Sequence, residues 1–398
     1  LKDRIQIIDG LRGIAILGVV WHHLSGPFAY PGFVHLGSLQ HPLLPLTFLS
    51  NGWLGVNLFF VLSGFVLYWP YVSGKRPLVT KQDWLTYYRN RAFRLLPLYY
   101  VSLAYGFLFI ARPHSAEQWL RDGALMLTAT YGFTKSLWLP PYNWVLWSLG
   151  IEIWFSVLFP FLIVLARKIS VPKMLAVVAV IAMAVRFLGL AEIFKLPISF
   201  HMNPMKDSVI GRLDDFVLGM FIAWLWLKSS RGTMTVWSKP WVPVAGIALV
   251  FAASHLWDDA VLQLVPYAAV PLFTPVLLLG IFIVVMHLLA GKGFLVRLLT
   301  LPAFTVPGVM CYSIYIWHGV LRLQVLGASR SPVRVLLYLA VVAAVSYLSF
   351  RIIEMNRWFR PVRAAAPPVK ATKQRARKAR AERPRRSPEP LTDPHLRF

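Results

Sequence analysis

Runs of about 20 mostly apolar residues recur along this chain, and that is the length a helix needs to cross the hydrocarbon core of a bilayer. They fall near 8–27, 52–70, 93–111, 143–166, 173–190, 209–228, 241–257, 268–290, 304–321 and 334–353. In hydrocarbon every backbone N–H and C=O must be satisfied internally, so spans of this length commit the chain to helices. The composition excludes a soluble globule: 57% of residues are hydrophobic, 14% are charged, and the mean hydropathy is +0.59. The expected fold is all-α, a polytopic integral membrane protein of about ten transmembrane helices. The first run is too long for a secretory signal and lacks a small-residue cleavage site, so it is expected to stay as the first span.

Basic residues orient these spans, because loops rich in Lys and Arg are retained in the cytoplasm. "YVSGKRPLVTKQDWLTYYRNRAFR", "ARKISVPK", "LKSSRGTMTVWSK" and "AGKGFLVR" are basic and fall on the side of the N-terminus, whereas "SGPFAYPGFVHLGSLQHPLLPLTFLSN" and "DDAVLQLVP" hold no Lys or Arg. Both termini are therefore expected in the cytoplasm. Between residues 112 and 142, "EQWLRDGALMLTATYGF" reads as a short amphipathic helix lying along the interface. The net charge of +25 invites a nucleic-acid reading, yet 11 of the 41 basic residues lie beyond residue 360 against three acids, which accounts for +8. That Pro-, Ala-, Arg- and Lys-rich stretch is expected to be a disordered basic tail over 361–398, attracted to anionic lipid, following a ten-helix domain over 1–360. No nucleic-acid partner is expected. Arg outnumbers Lys and Ala, Val and Pro abound, the habit of a GC-rich bacterium, so the expected location is a bacterial cytoplasmic membrane. A single cysteine, Cys311, rules out an internal disulfide and a cysteine metal cluster.

Ionisable groups inside apolar spans are costly and mark function by default. The first span, "IIDGLRGIAILGVVWHHL", carries two of opposite character. Arg12 and His23 are eleven residues apart; at 100° per residue they differ by about 20° around a helix and by roughly 16 Å along it. His22 points about 80° away. A guanidinium forks onto phosphate oxygens, and a neutral imidazole is the usual proton acceptor near pH 7. A donor with phosphates at one end and a reactive carbonyl at the other, such as an acyl-coenzyme A, fits the pair. The spacing alone also allows a topogenic Arg12 paired with Asp9, and an interfacial His23 with no chemistry.

Six further stretches decide between these readings: "IDGLRGIAILGVVWHH", "WLGVNLFFVLSGFVL", "YYRNRAFRLLPLYY", "NWVLWSLGIEIWFSVLFP", "GRLDDFVLGMFIAW" and "YSIYIWHGVL". In this order they resemble the transmembrane acyltransferase 3 family, whose members O-acylate sugars and other hydroxyl acceptors. The resemblance covers residues 5 to about 355. It implies that the family's arginine and histidine fall on Arg12 and His23. Its cytoplasmic arginine pair then matches Arg91 and Arg94, its Ser-Gly-Phe matches Ser63, Gly64 and Phe65, and its tryptophan, serine and glutamate match Trp147, Ser148 and Glu152. Where many members read S-V-E-E this chain has "GIEI", so a second carboxylate is absent. No hydrolase-like domain is expected beside the core, so acceptor handling is expected to rest on the membrane body.

The residues themselves fill in roles. Arg91 and Arg94 lie one turn apart on a helix entering from the basic side, where they extend an anion site with Arg12 or simply anchor the span. Glu152, about six residues into a span, is too deep for idle solvation, so it pairs with a base or accepts from His23 to fix its tautomer. Ser63-Gly64 lets helices approach and shapes a donor tunnel. Arg212 and Asp214 in "GRLDDF" pair with each other or meet acceptor hydroxyls, the structural role being favoured. His318, with Tyr312 and Tyr315, lines a polar acceptor cavity or belongs to an aromatic belt. His35 and His41 have no carboxylates at metal spacing, and no metal is assigned.

The expected protein is thus an O-acyltransferase using acyl-CoA as donor substrate, with no tightly bound cofactor. The acceptor is a hydroxyl of an extracytoplasmic glycan, glycolipid or related small molecule. Either His23 acts as general base, or it attacks first and carries the acyl group. Two rivals stand beside it: a transporter, against which no internal repeat is visible, and a non-catalytic acyl-CoA sensor.

Overall fold

The computed structural model describes residues 6–25, 51–110, 115–193, 203–229, 231–261, 270–291, 293–327 and 331–356. Every regular element among them is helical. Helix α1 (Gln6–Ser25) is followed by a 3₁₀ turn at Gly52–Leu54 that runs into α2 (Gly55–Val72), then α3 (Lys81–Phe109), α4 (Ala116–Leu127), α5 (Leu146–Ile169) and α6 (Val171–Ile193). The second half holds α7 (Leu213–Lys228), α8 (Arg231–Trp237), α9 (Trp241–Val261), α10 (Val270–Leu289), α11 (Phe294–Leu299), α12 (Pro302–Val309), α13 (Cys311–Leu321) and α14 (Pro332–Ser349). Single π turns extend α13 over Arg322–Leu326 and α14 over Phe350–Glu354. The expected tail from 361, and with it His35 and His41, lies outside the described residues.

Seven of these helices are long and apolar enough to cross a membrane, and α12 with α13, bent by 76°, makes an eighth. The chain is an all-α, multi-pass membrane protein. Each of the ten expected runs coincides with a helix or with that bent pair, but α7 at 16 residues and the apolar Trp241–Trp257 stretch of α9 are shorter than a full span. The expected amphipathic segment is α4, 12 residues long.

Local chemistry sets the helix ends. Thr80 caps α3 by accepting from the Asp83 amide at 3.2 Å while the Asp83 carboxylate accepts from the Thr80 amide at 2.9 Å, a reciprocal capping box. Ser115 caps α4 by accepting from the Gln118 amide at 3.2 Å. Proline opens α12 and α14, where its missing N–H is not needed. The bend between α12 and α13 falls at Met310, three residues after Pro307.

Packing depends on small residues because lipid supplies no hydrophobic force between spans. A Cβ at Gly64 would lie 1.9 Å from the Phe216 carbonyl oxygen, and one at Gly219 would lie 1.9 Å from that of Val61, so α2 and α7 touch backbone to backbone. Helix α1 is gripped likewise: a Cβ at Gly13 would meet the Phe304 carbonyl oxygen at 1.8 Å, and one at Gly308 that of Asp9 at 1.7 Å. On the side of α1 turned away from Arg12 and His23, Ile14, Leu17 and Trp21 form an exposed apolar stripe, as a lipid-facing surface requires.

Candidate active site

Because α1 is unbroken from Gln6 to Ser25, Arg12 and His23 do share a face, about 16 Å apart along the axis. The two ends of that face have different surroundings.

Arg12 opens into a cavity of about 140 Å³ walled by α1, α2, α3, α5 and α13. Arg91 and Arg94 from α3, Ser63 from α2, Ser148 and Glu152 from α5, and Cys311, Tyr312 and Tyr315 from α13 line it as well. Two of the three arginines are already paired. Arg91 donates to Glu152 at 2.7 Å and to the Ser156 hydroxyl at 2.9 Å. Arg94 donates to Glu354, whose carboxylate also accepts from Ser313 at 2.5 Å, and its guanidinium lies over the Tyr312 ring. Arg12 has no hydrogen-bond or ion-pair partner among the described residues. A half-exposed, uncompensated guanidinium in a cavity is a site for an anion.

The far end is closed. Tyr315 is hydrogen-bonded to the Ser148 hydroxyl at 2.5 Å and to the Val145 carbonyl at 3.2 Å, and both Tyr315 and Ser148 line the cavity. His23 and His318 lie behind them and do not line it. His23 Nδ1 is 2.9 Å from His318 Nε2. His318 Nδ1 is 3.1 Å from the Ile314 carbonyl, one turn back on α13. The edge of the His23 ring stands against Trp144, with centroids 4.3 Å apart. Arg322, on the π turn after α13, donates to the His23 carbonyl at 2.6 Å, holding the end of α1 in place. π turns recur at functional sites because the extra residue re-aims a side chain.

Several expected roles change. Glu152 pairs with the base Arg91, one of its two expected partners, and the neighbour that bonds His23 is His318. His318 does not line an acceptor cavity: it is fully buried, and Tyr338 donates to its carbonyl at 2.9 Å. Arg212 and Asp214 do not pair with each other and do not reach the cavity. Arg212 binds Asp207 at 2.5 Å and Arg186 binds Asp214 at 2.5 Å, each pair buried. Lys206 joins Asp207 at 3.5 Å and lies over Trp257. Burial draws the Lys206 ammonium down to about 8 although Asp207 opposes this. Next to this cluster Asn57 donates to Asp215 at 2.8 Å. Ser63, Arg91, Arg94 and Tyr315 share the cavity with Arg12. Glu354 was missed, although its sequence signal is plain: it is the one acid in "PVRVLLYLAVVAAVSYLSFRIIE", just past the expected end of the last span. Among the described residues no three His, Cys, Asp or Glu side chains stand close enough to hold a metal.

The comparisons with known proteins point one way. Residues 5–351 match a family model described as an acyltransferase domain, Acyl_transf_3. Over 330 residues the chain is 24% identical to the O-acetyltransferase OatA of Staphylococcus aureus, covering 78% of this chain and 49% of that protein. It is 25% identical over 383 residues to the peptidoglycan O-acetyltransferase OatA of Listeria monocytogenes, covering 89% of this chain and 56% of that one. The chain thus spans about half the length of the curated relatives it matches. No solved structure matches. With the family model running through every helix that walls the cavity and carries the histidine pair, the chain belongs to the acyltransferase 3 family of membrane acyltransferases.

Proposed function

We propose that this chain is an integral membrane O-acyltransferase that moves an acetyl or other short acyl group from coenzyme A, loaded from the cytoplasm, to a hydroxyl of an extracytoplasmic glycan, glycolipid or related small molecule. The observation that carries this is the pairing on one α1 face of a guanidinium with no partner among the described residues and a buried imidazole roughly 16 Å apart. A coenzyme A thioester has phosphates at one end and its reactive carbonyl at the other, so Arg12 takes phosphate oxygens while the thioester reaches His23 once the Tyr315–Ser148 contact that closes the far end parts. Arg91 and Arg94 widen the cationic wall, and Phe59, Phe60 and Ser63 line the way. Both termini lie in the cytoplasm of a bacterial cell on this reading, since the basic loops share the Arg12 end. The names of the relatives support a glycan acceptor.

In the reaction His23 Nε2 removes the acceptor's hydroxyl proton as the oxygen attacks the thioester carbonyl. A C–O bond forms, the C–S bond breaks, and the coenzyme A thiolate takes the proton back from His23. Enclosure in the cavity between α1, α2, α3, α5 and α13 keeps water from the thioester.

The test compares neighbouring histidines. In purified detergent-solubilised protein assayed with acetyl-CoA, His23→Ala should lose transfer by about 10²- to 10⁴-fold, the usual contribution of a general base. His22→Ala should stay within a few fold of the parent. Equal loss in both, or full activity in His23→Ala, removes His23 from the chemistry.

A further inference from the structure

Building on the reading of His23 as base, we infer that His318 is a positioning residue that fixes His23 in its Nδ1-protonated form and leaves His23 Nε2 as the pair's single free lone pair. Hydrogens can be placed one by one along a single chain of contacts. A carbonyl oxygen only accepts, so the 3.1 Å contact between Ile314 O and His318 Nδ1 requires a proton on that nitrogen. A neutral His318 then has a bare Nε2. That nitrogen accepts, so His23 Nδ1, 2.9 Å away, must be the donor. A neutral His23 with its proton on Nδ1 has its lone pair on Nε2. The backbone of α13 thus determines, through two imidazoles, which nitrogen of α1 can take a proton.

The surroundings leave the relay without a competitor. No described carboxylate bonds either ring, so the orienting acid familiar from Ser-His-Asp sites has no counterpart here. Tyr315 and Trp144 flank the pair through ring contacts. Arg322 holds the His23 backbone and leaves the ring nitrogens alone. His22 stands 5.1 Å away, centroid to centroid. When Nε2 takes up the acceptor's proton, the Nδ1 proton can move to His318 Nε2, so the positive charge is shared by two rings, and the same path returns it for the leaving thiolate. Protons balance throughout and no other group is needed.

Holding a catalytic histidine in the wrong tautomer costs about 10⁴ in a Ser-His-Asp site. His318→Leu, which cannot accept, should lose at least about 10²-fold in transfer with coenzyme A affinity unchanged. His318→Gln places a carbonyl oxygen near the lost Nε2 and should recover activity to within about tenfold of the parent. The decisive readout is the nitrogen-15 NMR spectrum of histidine-labelled protein, with His23 assigned by subtraction of His23→Ala. In the parent, His23 should show a protonated Nδ1 and a bare Nε2, and in His318→Leu a mixture. A packing role alone would not move that signature. A neutral His23 protonated on Nε2 in the parent overturns the inference whatever the activity, and it does so even if His318→Leu fails to fold. Full activity in His318→Leu overturns it too. If His23→Ala is active while the parent's His23 is protonated on Nδ1, the base reading falls and the tautomer assignment stands.

Discussion

Around α7, buried charges come in matched sets, Arg186 with Asp214 and Arg212 and Lys206 with Asp207, save Asp215, which is held by the Asn57 amide. Around α1 they do not. Arg12 lacks a partner among the described residues, and the histidines at the other end are bonded to each other and to a backbone carbonyl. The contrast separates scaffold from site. A matched pair sealed from solvent offsets the desolvation of its members and fixes two helices together, and it presents no charge to a cavity. An unmatched cation survives only where solvent or an anion reaches it, and Arg12 lies at a cavity wall, whereas the α7 charges are sealed.

The largest effect that would break this contrast is on stability. Arg186→Leu strands Asp214, buried and charged, and should cost about 3–5 kcal/mol. It should be seen as a fall in thermal midpoint in detergent. Arg186→Leu with Asp214→Leu should recover most of that loss, because removing both partners leaves no orphaned charge. If the double variant is as unstable as the single one, matching is not what holds this cluster.

Arg12→Ala is the mirror experiment. With no partner to strand, its thermal midpoint should stay near the parent's, while coenzyme A binding measured by calorimetry should weaken by about 1.5–3 kcal/mol, the worth of a hydrogen bond to a charged group. A destabilised Arg12→Ala with unchanged affinity would move Arg12 into the scaffold class. The smallest effect sharpens the boundary between the classes. Glu354→Gln keeps the Ser313 contact but releases Arg94, whose side chain is 42% exposed. Coenzyme A affinity should rise by a few fold, about 1 kcal/mol or less, because the Arg94 side of the pair is open to solvent. A fall in affinity would mean that Glu354 orients Arg94 for the anion rather than competing with it.

Much of the fold was legible because hydrocarbon is a strict solvent: each long apolar run had to be a helix, and each is one. The break at Met310 was harder to see. Residues 304–321 read as one run, since a proline such as Pro307 is tolerated inside spans and does not by itself announce a 76° bend. The shared face of Arg12 and His23 was legible because helical periodicity alone sets it. The contact of His23 with His318 was not, because 295 residues separate them and no local pattern records which helices become neighbours. The same limit explains Arg212 and Asp214, two residues apart in sequence. At that spacing their side chains diverge on a helix, and each found its partner elsewhere.

The glycines of α1 carry a mechanical consequence. Backbone atoms of neighbouring segments abut this helix at Gly10, Gly13 and Gly18, and Gly55 abuts it at Ala15, with no side chain between to act as a cushion. Sliding α1 by a single residue, about 1.5 Å, would drive carbonyl oxygens into α-carbons on two sides. The helix is therefore a fixed ruler and not a piston. On the proposed reading the donor has to do the travelling itself, and an arm much shorter or longer than the distance from Arg12 to His23 arrives out of step with the imidazole. Throughput on that reading is then set by how fast the donor threads in and the spent carrier backs out.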